Sequence, residues 1–215
     1  MPSTATVERT SFLPFCCYQA AARNAMNAGI ALFQAFSPIP VWGSTDGDCI
    51  KVGVKMEPAC GNGNFLLEIL KQKLERAKEN SASEIGFMYL VVQAVMSIYG
   101  VDIQMDNVVE CVDRLYDQVE KDYYEFVGHN PSDRFRWTIY SILGMNMTCG
   151  DSLYGTTDNG KPIMIYEWKI GKDGIIYCDG YRLSDLVAGD GELNEPVNRK
   201  RYLWFISALS KALAA

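Results

Sequence analysis

Ten consecutive residues carry the first sign of chemistry: Glu57-Pro58-Ala59-Cys60-Gly61-Asn62-Gly63-Asn64-Phe65-Leu66. They place a carboxylate, two glycines and the start of an apolar helical stripe side by side. A tight turn from a strand into a helix presents backbone N–H groups at a helix N-terminus, where anionic or polar ligand groups bind. Gly61 and Gly63 permit backbone geometry and a close approach that side chains would block. Two more carboxylates, Asp102 and Asp151, each follow a strand-like stretch (Ile98 to Val101, and Met145 to Cys149 with Gly150 after it). An ionised Asp only accepts hydrogen bonds, so Asp102 suits a ribose diol, with room for two hydroxyl donors, and Asp151 an exocyclic amine. Ile103 and Leu153 lie next to these acids and can sandwich a flat base.

Elements must bring these residues together. Lys51 to Met56 alternates loosely and reads as a strand leading into the glycine turn. From Phe65 to Ala77, residues Phe65, Leu66, Ile69, Leu70 and Leu74 share one helical face, predicting a helix from Asn64 to about Lys78. Ser83 is placed to cap a second helix running to about Met96. Ile98 to Ile103 reads as a buried strand. Asp106 to Phe126 reads as a helix with Val108, Val109, Val112, Leu115, Tyr116 and Val119 inward. Ser132 can cap a shorter helix to Leu143, before a strand from Met145 to Cys149. Alternation of this kind predicts an α/β fold with a parallel sheet, right-handed crossovers and helices on both faces. In open sheets of that type ligands sit beyond the strand C-termini, so the three sites can meet at one crevice.

The pattern changes beyond Leu153. Pro162 to Ile170 and Gly174 to Asp179 read as an antiparallel hairpin turning at Gly171-Lys172-Asp173-Gly174. Residues 184 to 198 read as irregular and acidic. Arg199 to Ala215 reads as a terminal helix, with Tyr202, Leu203, Phe205, Ile206, Leu209 and Leu213 apolar. Tyr166 and Trp168 on the hairpin either stack on a base or pack in the core.

The chain has 215 residues, enough for one domain or one domain with an appendage, and 48% of them are hydrophobic. We divide it into an N-terminal helical segment, 1–50, and a ligand-binding domain, 51–215. Residues 15 to 36 form a candidate helix, ended by Ser37-Pro38-Ile39-Pro40. From Thr10 to Thr45 the only charged residue is Arg23; such a segment packs on another chain or covers the core. The net charge of −6 argues against a generic basic nucleic-acid binder, though not against DNA contact through a local patch or a partner chain. Seven cysteines, an odd number without any CxxC pair, and a single histidine, His129, give no zinc spacing and suggest free thiols in a reducing, cytoplasmic setting. No stretch is apolar enough to span a membrane.

Glu57 to Leu66 resembles the S-adenosylmethionine motif of adenine-specific DNA methyltransferases, a D/E-P-A-C-G-x-G-x-F-L pattern. Tyr99-Gly100-Val101-Asp102-Ile103-Gln104 resembles the second motif of that family, and Asn146 to Leu153, ending Cys-Gly-Asp-Ser-Leu, resembles the third. The resemblance covers residues 56 to about 154. It implies a Rossmann-like class I methyltransferase fold in abbreviated form, with a C-terminal hairpin and helix. The cofactor it implies is S-adenosylmethionine, held by Glu57, Pro58, Ala59, Cys60, Gly61, Gly63, Asn64, Phe65, Asp102, Ile103, Asp151 and Leu153. It further implies transfer of a methyl group to the exocyclic amine of adenine in DNA, so that DNA is the expected partner; the low-charge segment 10–45 points to a protein partner or a second copy of the chain.

The family's catalytic N/D/S-P-P-Y/F/W tetrapeptide is missing. In the family its polar residue and a proline carbonyl take hydrogen bonds from the target amine, and its aromatic stacks on the flipped base. Asn130-Pro131-Ser132-Asp133 lacks the second proline and the aromatic. Ser37-Pro38-Ile39-Pro40-Val41-Trp42 has the residue types in broken order. Ser11-Phe12-Leu13-Pro14-Phe15 is a remnant of the family's opening segment. No catalytic residue can be assigned, which leaves a second reading: a catalytically silent cofactor-binding or interaction subunit of a DNA-modification system. A methyltransferase acting on a small molecule or protein is a third.

Overall fold

A computed structural model describes residues 55–171, 175–188 and 196–202. The N-terminal segment 1–50, the start of the first strand at 51–54, the tip of the hairpin turn at 172–174 and residues 203–215 of the expected terminal helix lie outside the described residues.

The fold is α/β, with a small parallel sheet of three strands and associated helices. Strand β1 is Lys55–Glu57, β2 is Ile98–Asp102 and β3 is Met147–Cys149, in the spatial order β1-β2-β3. Both pairings are parallel, with Glu57 opposite Gly100 and Asp102 opposite Cys149. β2 is central and buried from Ile98 to Val101, which is why it reads as a continuous apolar run rather than an alternating one.

Helices α1 (Asn64–Glu79) and α2 (Glu84–Met96) connect β1 to β2, and α3 (Met105–Val127) and α4 (Asp133–Asn146) connect β2 to β3. α1 buries Leu66, Leu70, Leu74 and Ala77, one stripe at helical spacing. Ser83 Oγ accepts from Gly86 N–H at 3.2 Å and Ser132 Oγ accepts from Phe135 N–H at 3.3 Å, so both expected caps form. Among the described residues no helix is long and apolar enough to cross a membrane.

Two details of the helical faces differ from expectation. Phe65 is 51% exposed, because it lies beside the buried stripe of Leu66, Leu70, Leu74 and Ala77 and not in it. On α3 the buried set is Val108, Cys111, Val112, Leu115, Val119, Asp122 and Tyr123, while Val109 and Tyr116 are only half-buried. Asp122 is buried because Lys78 of α1 pairs with it.

The second sheet is also larger than a hairpin. β4 (Met164–Ile170), β5 (Ile176–Arg182) and β6 (Asn198–Tyr202) pair antiparallel in that order. Residues 198–202, expected partly as an irregular end and partly as helix, are a strand. The free edge of β5 supplies backbone partners that outweigh local helix preference. Residues Leu183–Ala188, expected as irregular, form a short helix, α5.

The two sheets are joined by polar side chains. Tyr99 Oη donates to the Tyr166 carbonyl at 2.6 Å. Trp168 Nε1 donates to Asn146 Oδ1 at 2.7 Å, and Asn146 Nδ2 donates to the carbonyls of Val95 and Ile98 at 3.1 and 3.0 Å. Trp168 is buried in the core, so it is a packing residue and not a base-stacking platform.

Candidate functional site

The glycine turn, Asp102 and Asp151 all follow the C-terminal ends of the parallel strands. β1 ends at Glu57, whose Oε1 accepts from Ala59 N–H at 3.4 Å. Pro58 is half-buried and Ala59 exposed. The turn is then tied to β2: Cys60 N–H donates to the Val101 carbonyl at 2.9 Å, and Gly61 N–H donates to Asp102 Oδ2 at 2.9 Å. Gly63 N–H donates to the Cys60 carbonyl at 2.9 Å, and the first i→i−4 bond of α1 runs from Leu67 N–H to Gly63 O. The N–H groups of Asn64, Phe65 and Leu66 therefore precede the first intrahelical bond and face the helix entrance.

The two glycines serve different needs. Gly63 has φ 81°, and a Cβ there would collide with Cys111 Sγ and stand 3.2 Å from Cys111 Cβ. Gly61 has φ 53° with open space where a Cβ would be. Gly63 is required by strain and packing together, Gly61 by backbone conformation alone.

Asp102 is more committed than its sequence position suggests. Oδ2 accepts from Gly61 N–H; Oδ1 accepts from Gln104 N–H at 2.9 Å and from Asn107 Nδ2 at 3.0 Å. A carboxylate offers about four lone-pair positions, and three are taken. The expected room for two hydroxyl donors narrows to one, on Oδ2, because the polypeptide itself fills the rest. Ile103 beside it is half-buried.

β3 delivers the third part. Gly150 N–H donates to the Asp102 carbonyl at 2.9 Å, holding the chain after β3 against the end of β2. Asp151 Oδ1 then accepts from Leu153 N–H at 2.9 Å and Tyr154 N–H at 3.3 Å, closing a side-chain-supported turn. Asp151 Oδ2 has no hydrogen bond among the described residues. Leu153 is 44% exposed and Tyr154 78%, so the turn presents apolar surface beside an open acceptor.

The Cys60 thiol donates to the Gly61 carbonyl at 3.5 Å. The neighbouring Cys111 thiol and burial push its pKa above the ordinary thiol range, which favours the neutral thiol. Asn130 to Asp133, the nearest sequence approach to a catalytic tetrapeptide, instead starts α4 through the Ser132 cap.

Sequence reasoning does not reach Asn107, Cys111 and Arg114, all of which touch the loop or its acid. Their spacing of four and three places them on one face of α3, so the signal is present. It is hidden because Asn107 and Arg114 read as solvated helix surface, and Cys111 as core packing, until a loop is known to lie on them. The chain matches no protein-family model, no curated protein and no solved structure.

Proposed function

We propose that the chain binds S-adenosylmethionine at the ends of β1, β2 and β3 and is a Rossmann-like methyltransferase that acts on the exocyclic amine of adenine in DNA. The observation that carries the reading is the meeting of the glycine turn and Asp102: Gly61 N–H is bonded to the very carboxylate that keeps one acceptor position open. The donor set fits the ligand. Asp102 Oδ2 takes a ribose hydroxyl, Asp151 Oδ2 takes the exocyclic amine of an adenine, and Ile103 and Leu153 flank its ring. The N–H groups at the start of α1, with Glu57 to Phe65 around them, face the polar tail. Bound there, S-adenosylmethionine supplies an electrophilic methyl group on a sulfonium. The chain's own contribution is to hold the ligand in one orientation, which is where most of the rate of a simple in-line transfer comes from.

A second reading rests on a specific observation. No N/D/S-P-P-Y/F/W tetrapeptide occurs in the chain, and after β3 the next strand enters an antiparallel sheet instead of extending the parallel one. That favours a cofactor-binding subunit whose partner chain engages DNA. Either reading places the protein in the cytoplasm.

Calorimetric titration with S-adenosylmethionine tests the shared part: saturable binding is expected, and its absence would sink both readings. Asp102→Ala should weaken binding about tenfold or more, the loss expected for a hydrogen bond to a charged acceptor. Tritiated methyl transfer to adenine-containing DNA then separates them. Transfer by the isolated chain supports the enzyme; binding without transfer supports the subunit.

A further inference from the structure

The glycine loop is held from a direction that the ligand reading does not use. Arg114 Nη1 donates to the Asn62 carbonyl at 2.7 Å, and Nη2 donates to Asn64 Oδ1 at 2.8 Å. One turn earlier on α3, Glu110 Oε1 accepts from Asn62 Nδ2 at 3.0 Å. The crest of the loop and the first residue of α1 are therefore gripped by two side chains of another helix.

The grip acts on one peptide plane. A trans amide carries its C=O and N–H on opposite sides. Arg114 holds the C=O of the Asn62–Gly63 peptide, and its N–H, that of Gly63, bonds the Cys60 carbonyl at 2.9 Å. Both ends of the plane are fixed, at a place where glycines on either side of Asn62 would otherwise leave the backbone free to turn. A loop that must be ordered by its ligand weakens binding by the entropy of ordering, whereas one ordered beforehand does not.

We propose that Arg114 is a positioning residue, whose planar fork sets the loop in its ligand-ready form before any ligand arrives. Two donors in one rigid plane reach Asn62 O and Asn64 Oδ1 together. A lysine ammonium is a single point on a flexible stem and does not reproduce that fork. The inference deepens the ligand reading and rests on it only where binding is measured.

The test uses the full chain with Arg114→Ala and Arg114→Lys. Amide hydrogen exchange is followed without ligand. In Arg114→Ala the hydrogen-bonded amides of Gly61 and Gly63 should exchange about tenfold faster, while those of Tyr99 and Val101 in β2 keep the wild-type rate. Arg114→Lys should recover less than half of the protection, and it carries the same comparison if the alanine variant does not fold. Where the wild type binds S-adenosylmethionine, Arg114→Ala should bind it about tenfold more weakly. Unchanged loop exchange would overturn the proposal. So would acceleration spread equally over β2, which marks a general loss of stability, or unchanged affinity beside clear wild-type binding. If the wild type binds no S-adenosylmethionine, the ligand reading falls and the exchange comparison still decides the role of Arg114.

Discussion

The two sheets handle their polar groups in opposite ways. In the antiparallel sheet the charged side chains satisfy one another: Lys169 pairs with Glu167 at 2.9 Å and Asp179 at 3.4 Å, and Tyr181 Oη donates to Glu167 at 3.3 Å. In the parallel sheet the acids at the strand ends are bonded to backbone N–H groups, and each keeps one oxygen with acceptor capacity. Topology is the cause. Parallel strands end on one side, so the turns after β1, β2 and β3 converge; antiparallel strands alternate their ends and spread their loops to both sides. The parallel half gathers its strand-end acids and turns at one edge, and the antiparallel half pairs its charged groups internally and packs against the first.

The sharpest break in that contrast comes from Gly63. Gly63→Ala should destabilise by about 3 kcal/mol or more, combining left-handed backbone strain with overpacking against Cys111. Gly61→Ala, at similar φ but in open space, should cost only about 1–2 kcal/mol. Adding Cys111→Ala to Gly63→Ala should restore the packing part and leave the strain. Urea denaturation of the three variants beside wild type measures each step, and equal losses for the two glycines would show that the collision plays no part.

The contact between the halves is tested next. Asn146→Ala removes the acceptor of the Trp168 indole N–H and the donor to the carbonyls of Val95 and Ile98. With three buried groups involved, a loss of about 2–4 kcal/mol in urea is expected. A loss below about 0.5 kcal/mol would mean that the Asn146 bonds contribute little to holding the sheets together.

Tyr99→Phe has the smallest expected effect. It deletes the bond to the Tyr166 carbonyl and should cost about 1 kcal/mol near neutral pH. The effect also depends on pH. Burial, with Glu167 nearby, pushes the Tyr99 phenol well above the ordinary tyrosine range. The folded state therefore keeps its proton while the unfolded chain releases it near pH 10. Its contribution is full below about pH 10 and falls as the pH rises further. Wild type should lose stability more steeply than Tyr99→Phe between about pH 10 and 11, and parallel curves would refute the assignment.

Much of the parallel half is legible in the residues. The Asn64, Ser83 and Ser132 helix starts follow from capping and apolar spacing, and the strand ends follow from short buried runs closed by an acid or a glycine. These signals are local. The features that escape it all depend on distant contact. Arg199 to Tyr202 has helical spacing, yet it forms β6 because β5 offers an edge. Trp168 has the surface chemistry of a stacking residue, yet Asn146, far away in the chain, draws it into the core.

The order of residues alone supplies the glycine turn, the two acids that follow short strands, and the alternation that makes the fold α/β, because each is written within a few neighbouring positions. Contacts between separate segments decide that Gly61 N–H takes a position on Asp102 Oδ2, that Gly63 has no space for a side chain, and that Arg114 lies on the loop. Those outcomes depend on β2 and α3 meeting the glycine turn, and no short window of sequence contains the partners.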